Sequence, residues 1–305
     1  MTAGRACGTP EPLPQGVAFL QRSGPIRKLG ILFSAVVAAG GAFCATGCAP
    51  ATGNGVHSPE QQSEAQFRLA VEYYKVSNFR LALESARKAV ELNDQNKDAL
   101  LLASSIYMRF CSDPVQPLRG PDCKLSEAEK YARLALKVDD HYRDARNSLA
   151  AVLIEERKYD EAITTLDPLV NDPAYEQIHL AFGNLGWAQV LGGRIDKGIE
   201  SLSKAIALSP RFCVGLYRLG IAYEKKKDLA QAEASLSRAL AVTDPGCQAL
   251  QDAWWARARV RLGQGKHDLA RTDLEKCRDL YAESETGKSC VAGLAAMPAP
   301  DAPQQ

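Results

Sequence analysis

The sequence lacks most of what enzymes and nucleic-acid binders carry. Its 37 Lys and Arg are offset by 36 Asp and Glu, leaving a net charge of +1. That balance gives no strong basic field to attract nucleic acid or an anionic membrane surface. Aromatic residues make up 7% of the chain, and few stretches alternate Val, Ile or Thr with polar residues, which argues against a sheet-based fold. The four histidines, His57, His141, His179 and His267, are scattered. No HExxH, GxSxG, Walker A or GxGxxG pattern occurs. No CxxC or tight His/Cys cluster offers a zinc site. These absences predict a protein with no catalytic residues, metal, cofactor or small-molecule substrate.

What is present is a 46% hydrophobic, 24% charged chain, enough to build a core. It reads as helix after helix with short breaks, over a length that suits one or two domains. Its amino end is a separate matter. Arg22, Arg27 and Lys28 precede an uncharged run, "LGILFSAVVAAGGAFCATGC", from Leu29 to Cys48. A basic stretch followed by an apolar one is the pattern of an export signal. The run is also long enough for a membrane-spanning helix, and an ordinary cleaved signal with a chance cysteine is a further alternative. Residues 1–21 are Pro/Gly-rich and long for the front of such a signal, as an overlong start site would be. "ATGC", ending at Cys48, resembles the bacterial lipobox, although Ala45 stands where that motif usually has Leu. The resemblance implies that the Cys48 thiol receives a diacylglyceryl group and becomes the new amino terminus. Each buried acyl methylene then adds roughly 0.8 kcal/mol of membrane affinity. Residues 1–47 read as the signal and 48–62 as a flexible tether. Ala49, where Asp would retain many lipoproteins in the inner membrane, implies the periplasmic face of the outer membrane.

The rest of the chain repeats itself. "GNLGWAQVLGGRIDKGIESLSKAIALSP" aligns without gaps on "YRLGIAYEKKKDLAQAEASLSRALAVTD": Leu185-Gly186 returns as Leu219-Gly220 and Ala205 as Ala239, each 34 residues on. This resembles the tetratricopeptide (TPR) pattern, with small residues at positions 8, 20 and 27 of each 34-residue unit. The small residues let the two helices of a unit approach closely, and a polar residue or proline near position 32 ends the second helix. Six units start at Ser63, Lys97, Arg143, His179, Cys213 and near Gln251. The sixth is degenerate, with Arg257 and Arg261 at positions 7 and 11, as a terminal unit can be. The expected fold is an all-α TPR solenoid over 63–278. A capping helix over 279–294 and a disordered end over 295–305 complete it.

Six of the nine cysteines follow Cys48, an even set that suggests disulfides in an oxidising compartment. Cys111 and Cys123 bracket a Pro-rich insertion in the second unit. A bond there is worth about 3 kcal/mol on loop entropy. Cys213 opens the first helix of the fifth unit and Cys247 precedes that of the sixth; adjacent first helices start on the same edge of a solenoid, so the two can meet. Cys277 would then pair with Cys290 and pin the cap. A buried reduced Cys277, with free thiols elsewhere, is the alternative.

In TPR arrays, positions 2, 5, 9 and 12 of the first helices line the inner groove. Here they place Phe67, Val71, Tyr74, Leu101, Met108, Ile154, Leu180, Trp187, Val190, Tyr217, Ile221 and Trp255 in it, together with Asn147, Ala151, Val214, Arg259 and Leu262, a largely apolar set. Chaperone-binding arrays carry Lys and Asn at positions 5 and 9 to clamp a terminal carboxylate, and that pattern is absent. An apolar groove suits a hydrophobic segment of a protein partner, although such side chains can equally pack as core. An exported, lipidated array of six TPR units is similar to the type IV pilus assembly lipoproteins of the pilotin type. The resemblance implies a non-enzymatic protein that binds the secretin subunit, helps it insert and multimerise in the outer membrane, and is itself membrane-held through its lipid. A scaffold that docks peptidoglycan hydrolases or synthases is the alternative.

Overall fold

The computed structural model describes residues 58–112 and 122–297. Cys48, the export signal, most of the tether and the body of the second unit's insertion lie outside the described residues. Among the described residues there are fourteen helices and no strand. Six antiparallel pairs follow one another. They are α1 (Pro59–Lys75) with α2 (Phe79–Leu92), α3 (Lys97–Cys111) with α4 (Leu125–Val138), and α5 (Arg143–Glu155) with α6 (Tyr159–Val170). Next come α7 (Ile178–Leu191) with α8 (Ile195–Leu208) and α9 (Cys213–Lys225) with α10 (Leu229–Ala241). After the short α11 (Pro245–Gln248) come α12 (Gln251–Gly263) with α13 (His267–Leu280), and α14 (Glu285–Ala296) ends the array.

The periodicity finds the helices because each pair has the same mechanics. Position 15 takes positive φ in five pairs: Ser77, Arg157, Gly193, Lys227 and Gly265. The next residue's N–H returns to the carbonyl five residues back, as in Asn78 to Tyr73 and Asp228 to Tyr223. This is a Schellman ending that starts the second helix at once. Only two of the five positions are glycine, so the turn is imposed by packing on either side of it. Position 27 is buried throughout: Ala89, Ala205, Ala239 and Cys277 are all fully covered. In the fourth pair the approach is closest. A Cβ on Gly198 would stand 2.4 Å from Val190 Cγ2 and 2.8 Å from the Gly186 carbonyl, and one on Gly186 would stand 2.9 Å from the Gly198 carbonyl. Backbone meets backbone there, and no rotamer can relieve a clash. Gly198→Val should therefore lower stability by at least about 1–3 kcal/mol, read by denaturant unfolding. A loss under ~0.5 kcal/mol would refute the packing account.

Several boundaries differ from the sequence expectation. Helix α1 starts at Pro59, ahead of Ser63, because Ser58 caps it. The Ser58 hydroxyl accepts from the Gln61 N–H, and the Gln61 side chain accepts from the Ser58 N–H, a reciprocal capping box. Leu69, at a position that normally packs on the preceding unit, is 42% exposed, since nothing precedes the first pair among the described residues. The cap begins at Glu285, where Ser284 accepts from the Gly287 N–H. Helix α11 was not expected. Asp244 caps it, and it carries Cys247.

Three disulfides join Cys111 to Cys123, Cys213 to Cys247, and Cys277 to Cys290, with Cα–Cα distances of 4.5, 5.8 and 6.1 Å. The first closes the neck of the insertion, the second ties the start of α9 to α11, the link between the fifth and sixth pairs, and the third ties α13 to α14.

Candidate functional site: the inner wall

Successive first helices touch one another, α1 with α3, α3 with α5, α5 with α7, α7 with α9, α9 with α12 and α12 with α14, whereas the second helices make no comparable contact. The stack therefore bends with the first helices inside, and their outward faces form the inner wall. Repetition places one stripe of side chains per helix along that wall.

Four of the residues assigned to the groove do not belong to its surface. Met108, Ile154, Val190 and Ile221 are buried, at 7, 4, 1 and 9% exposure. Each joins a core cluster instead. In a tightly bent stack the side chains at positions 9 and 12 wedge between neighbouring first helices, and this burial wins over display. Phe67, Val71, Tyr74, Leu101, Leu180, Trp187, Tyr217 and Trp255 are half-buried. Three of them serve two roles. Trp187 packs against three separate core clusters, Tyr217 against two, and Trp255 against the cluster that holds Leu294 and Met297 of the cap region. Trp187 and Tyr217 meet with ring centroids 6.5 Å apart.

The wall is also more polar than the apolar stripe suggests. Asn147 on α5, Asn184 on α7 and Arg218 on α9 form a chain of hydrogen bonds across three units. Asn184 Nδ2 donates to Asn147 Oδ1 at 3.0 Å, and Arg218 Nη1 donates to Asn184 Oδ1 at 2.9 Å and to the Gly183 carbonyl at 3.2 Å. The Arg218 guanidinium lies 5.6 Å from the Trp187 ring centre, in cation–π range. Glycine at Gly183 and Gly215 leaves room for Phe212, whose ring would stand 2.6 and 2.5 Å from a Cβ at either place.

Two carboxylates face the same wall. Crowding by surrounding protein pushes the Glu155 carboxyl above its usual range although the residue is open to solvent, with Arg218 pulling the other way. Burial likewise raises Glu224, opposed by Arg259, which pairs with it at 2.7 Å. Arg259 in turn lies 5.6 Å from the Trp255 ring centre. Sequence reasoning missed Glu155, Asn184, Arg218 and Glu224, because they sit beside the positions it selected. A helical wheel of α7 and α9 drawn against the inner stripe would have found Asn184 and Arg218 one step from Trp187 and Tyr217.

Among the described residues no group of three metal-ligating side chains converges, and no helix is long and apolar enough to cross a membrane. The wall offers stacking faces, amide pairs and charged forks.

The profile of the tetratricopeptide repeat family matches residues 217–284. No curated protein matches the sequence. The fold is similar to the crystal structure of PilW, described as a widely conserved type IV pilus biogenesis factor (18% identity, 76% of this chain, 99% of that one, TM-score 0.62). It is similar to pilF of Pseudomonas aeruginosa (17% identity, 78% and 100%, TM-score 0.58). A tetratricopeptide repeat protein from Parabacteroides merdae is alike at 15% identity, 76% and 84% coverage and TM-score 0.61. The chain is an all-α solenoid of tetratricopeptide type, a fold that generally serves as a non-enzymatic protein-binding scaffold.

Proposed function

We propose that this chain is a lipid-anchored envelope scaffold. It grips an apolar segment of a protein partner on its inner wall and assists assembly and outer-membrane insertion of a type IV pilus secretin. The observation that carries the reading is extent. The solenoid spans 99 and 100% of two pilus biogenesis proteins, where the Parabacteroides protein is covered over 84% of its length. Three disulfides fit an oxidising compartment such as the periplasm. Half-buried Trp187, Tyr217 and Trp255 are the residue types that anchor partners best. The lipobox-like Cys48 supplies the anchor, and Ala49 directs it to the outer membrane.

Deleting the chain should abolish heat-resistant secretin multimers and surface pili, scored by immunoblot and electron microscopy. Intact multimers with altered peptidoglycan-hydrolase activity would transfer the role to a cell-wall scaffold. A Cys48→Ser variant should lose palmitate labelling and membrane association, and unchanged labelling would reject the anchor.

A further inference from the structure

We infer that the inner wall holds an anchor for one acidic side chain, built on Arg218, and that the bound segment sets an Asp or Glu within an apolar stretch. This rests on the partner-binding reading of the wall above, but not on the partner being a secretin.

Arg218 differs from the other arginines that face neighbouring helices nearby. Arg257, Arg259 and Arg261 each pair with a carboxylate within 3 Å. Arg218 has only neutral acceptors, the Asn184 amide and the Gly183 carbonyl, both at Nη1. Among the described residues no carboxylate comes within ion-pair distance of it; Glu155 acts on it only from farther off. Water reaches the half-buried side chain, yet protein from α5, α7 and α9 crowds its charge. Burial accordingly draws its pKa down to about 10, against the pull of Glu155. A charge partly stripped of water and left unpaired is costly. An arriving carboxylate relieves that cost and finds a planar fork with free N–H groups.

The surrounding wiring holds that fork in place. Asn147 fixes Asn184, so that the Asn184 oxygen faces the guanidinium, and the Trp187 ring supports it from one side. Half-buried apolar side chains lie on both sides of Arg218 along the array, Leu101 and Leu180 towards the amino end and Trp255 towards the cap. A segment that covers both flanks passes through Arg218 and does not end there. This argues for a side-chain carboxylate over a chain terminus.

The test uses the folded full chain and three labelled twelve-residue apolar peptides, read by fluorescence anisotropy. One carries a central Asp, one a central Asn, both with amidated ends. The third has the central Asn and a free terminal carboxylate. The Asp peptide should bind about tenfold more tightly than the Asn peptide, the effect of one charge-assisted bond. Arg218→Met should erase the difference, and Glu155→Gln, which removes a competing negative charge, should sharpen it. Should Arg218→Met fail to fold, Arg218→Lys keeps the charge without the fork and should still lose most of the preference. Equal affinity for the Asp and Asn peptides, no binding of any peptide, a preference that survives Arg218→Met, or selective binding of the free-terminus peptide would each overturn the assignment. The assay contains no secretin. Lost multimers on deletion with no Asp preference would leave the pilus role and remove the anchor, and the reverse result would do the opposite.

Discussion

Replacing Asp273 by alanine should cost about 3–5 kcal/mol of folding stability, the usual penalty for stranding a buried charge. Asp273 on α13 is 1% exposed at its side chain, and two arginines of α12 close on it. Arg257 makes a two-pronged contact at 2.9 and 2.7 Å, and Arg261 Nη1 donates at 2.9 Å. Both arginines are nearly covered, at 13 and 12%. Without Asp273, Arg257 keeps only Ser237 Oγ at 3.2 Å and the Trp254 ring, and Arg261 keeps Glu233 at 2.9 Å. Urea unfolding followed by circular dichroism measures the loss, and a change below ~1 kcal/mol would show that water reaches the arginines freely. Replacing Asp273, Arg257 and Arg261 together by apolar residues of similar volume should recover most of the stability, since such a triad contributes less than its removal costs.

The paired variant Cys213→Ala/Cys247→Ala should be destabilised by about 4 kcal/mol, because the bond closes a loop of 34 residues. Both sulfurs belong to one buried cluster with Val190, Leu202 and Leu216, so alanine also leaves a small void. Melting temperatures with and without reductant separate the two effects. The native chain should soften on reduction by more than the variant does. Equal softening would place the stabilisation in the other two bonds.

The fold was readable because its signal is one-dimensional. Leu185-Gly186 and Leu219-Gly220 occupy equivalent places, and a fixed period locates helix starts such as Lys97, Arg143, Cys213 and Gln251 directly. The site was less readable because it is made between units. Arg218 acquires meaning only from Asn184, Trp187 and Glu155 on two other first helices, and no period announces that meeting. Val190 and Ile221 mislead for a related reason. Their positions face inward in the repeat, but the degree of bending decides whether they are displayed or wedged. Arg257 and Arg261 looked like decay of the pattern, yet they are a second solution to the same packing problem, with an ion cluster where other units have Leu and Tyr. Helix α11 was hidden because four residues are too few to show a helical period.

The three bridges are unevenly placed. One lies within the second pair, while the other two sit towards the carboxy end, one tying α9 to α11 and one tying α13 to α14. Nothing comparable crosses the third and fourth pairs among the described residues, where neighbours hold by contact alone. In a linear array, opening starts at the weakest junctions and spreads outward. A tug on the leading end would peel helices away one after another as far as Cys213, where the force passes through the bond to Cys247 and leaves the closed loop of α9 and α10 unextended.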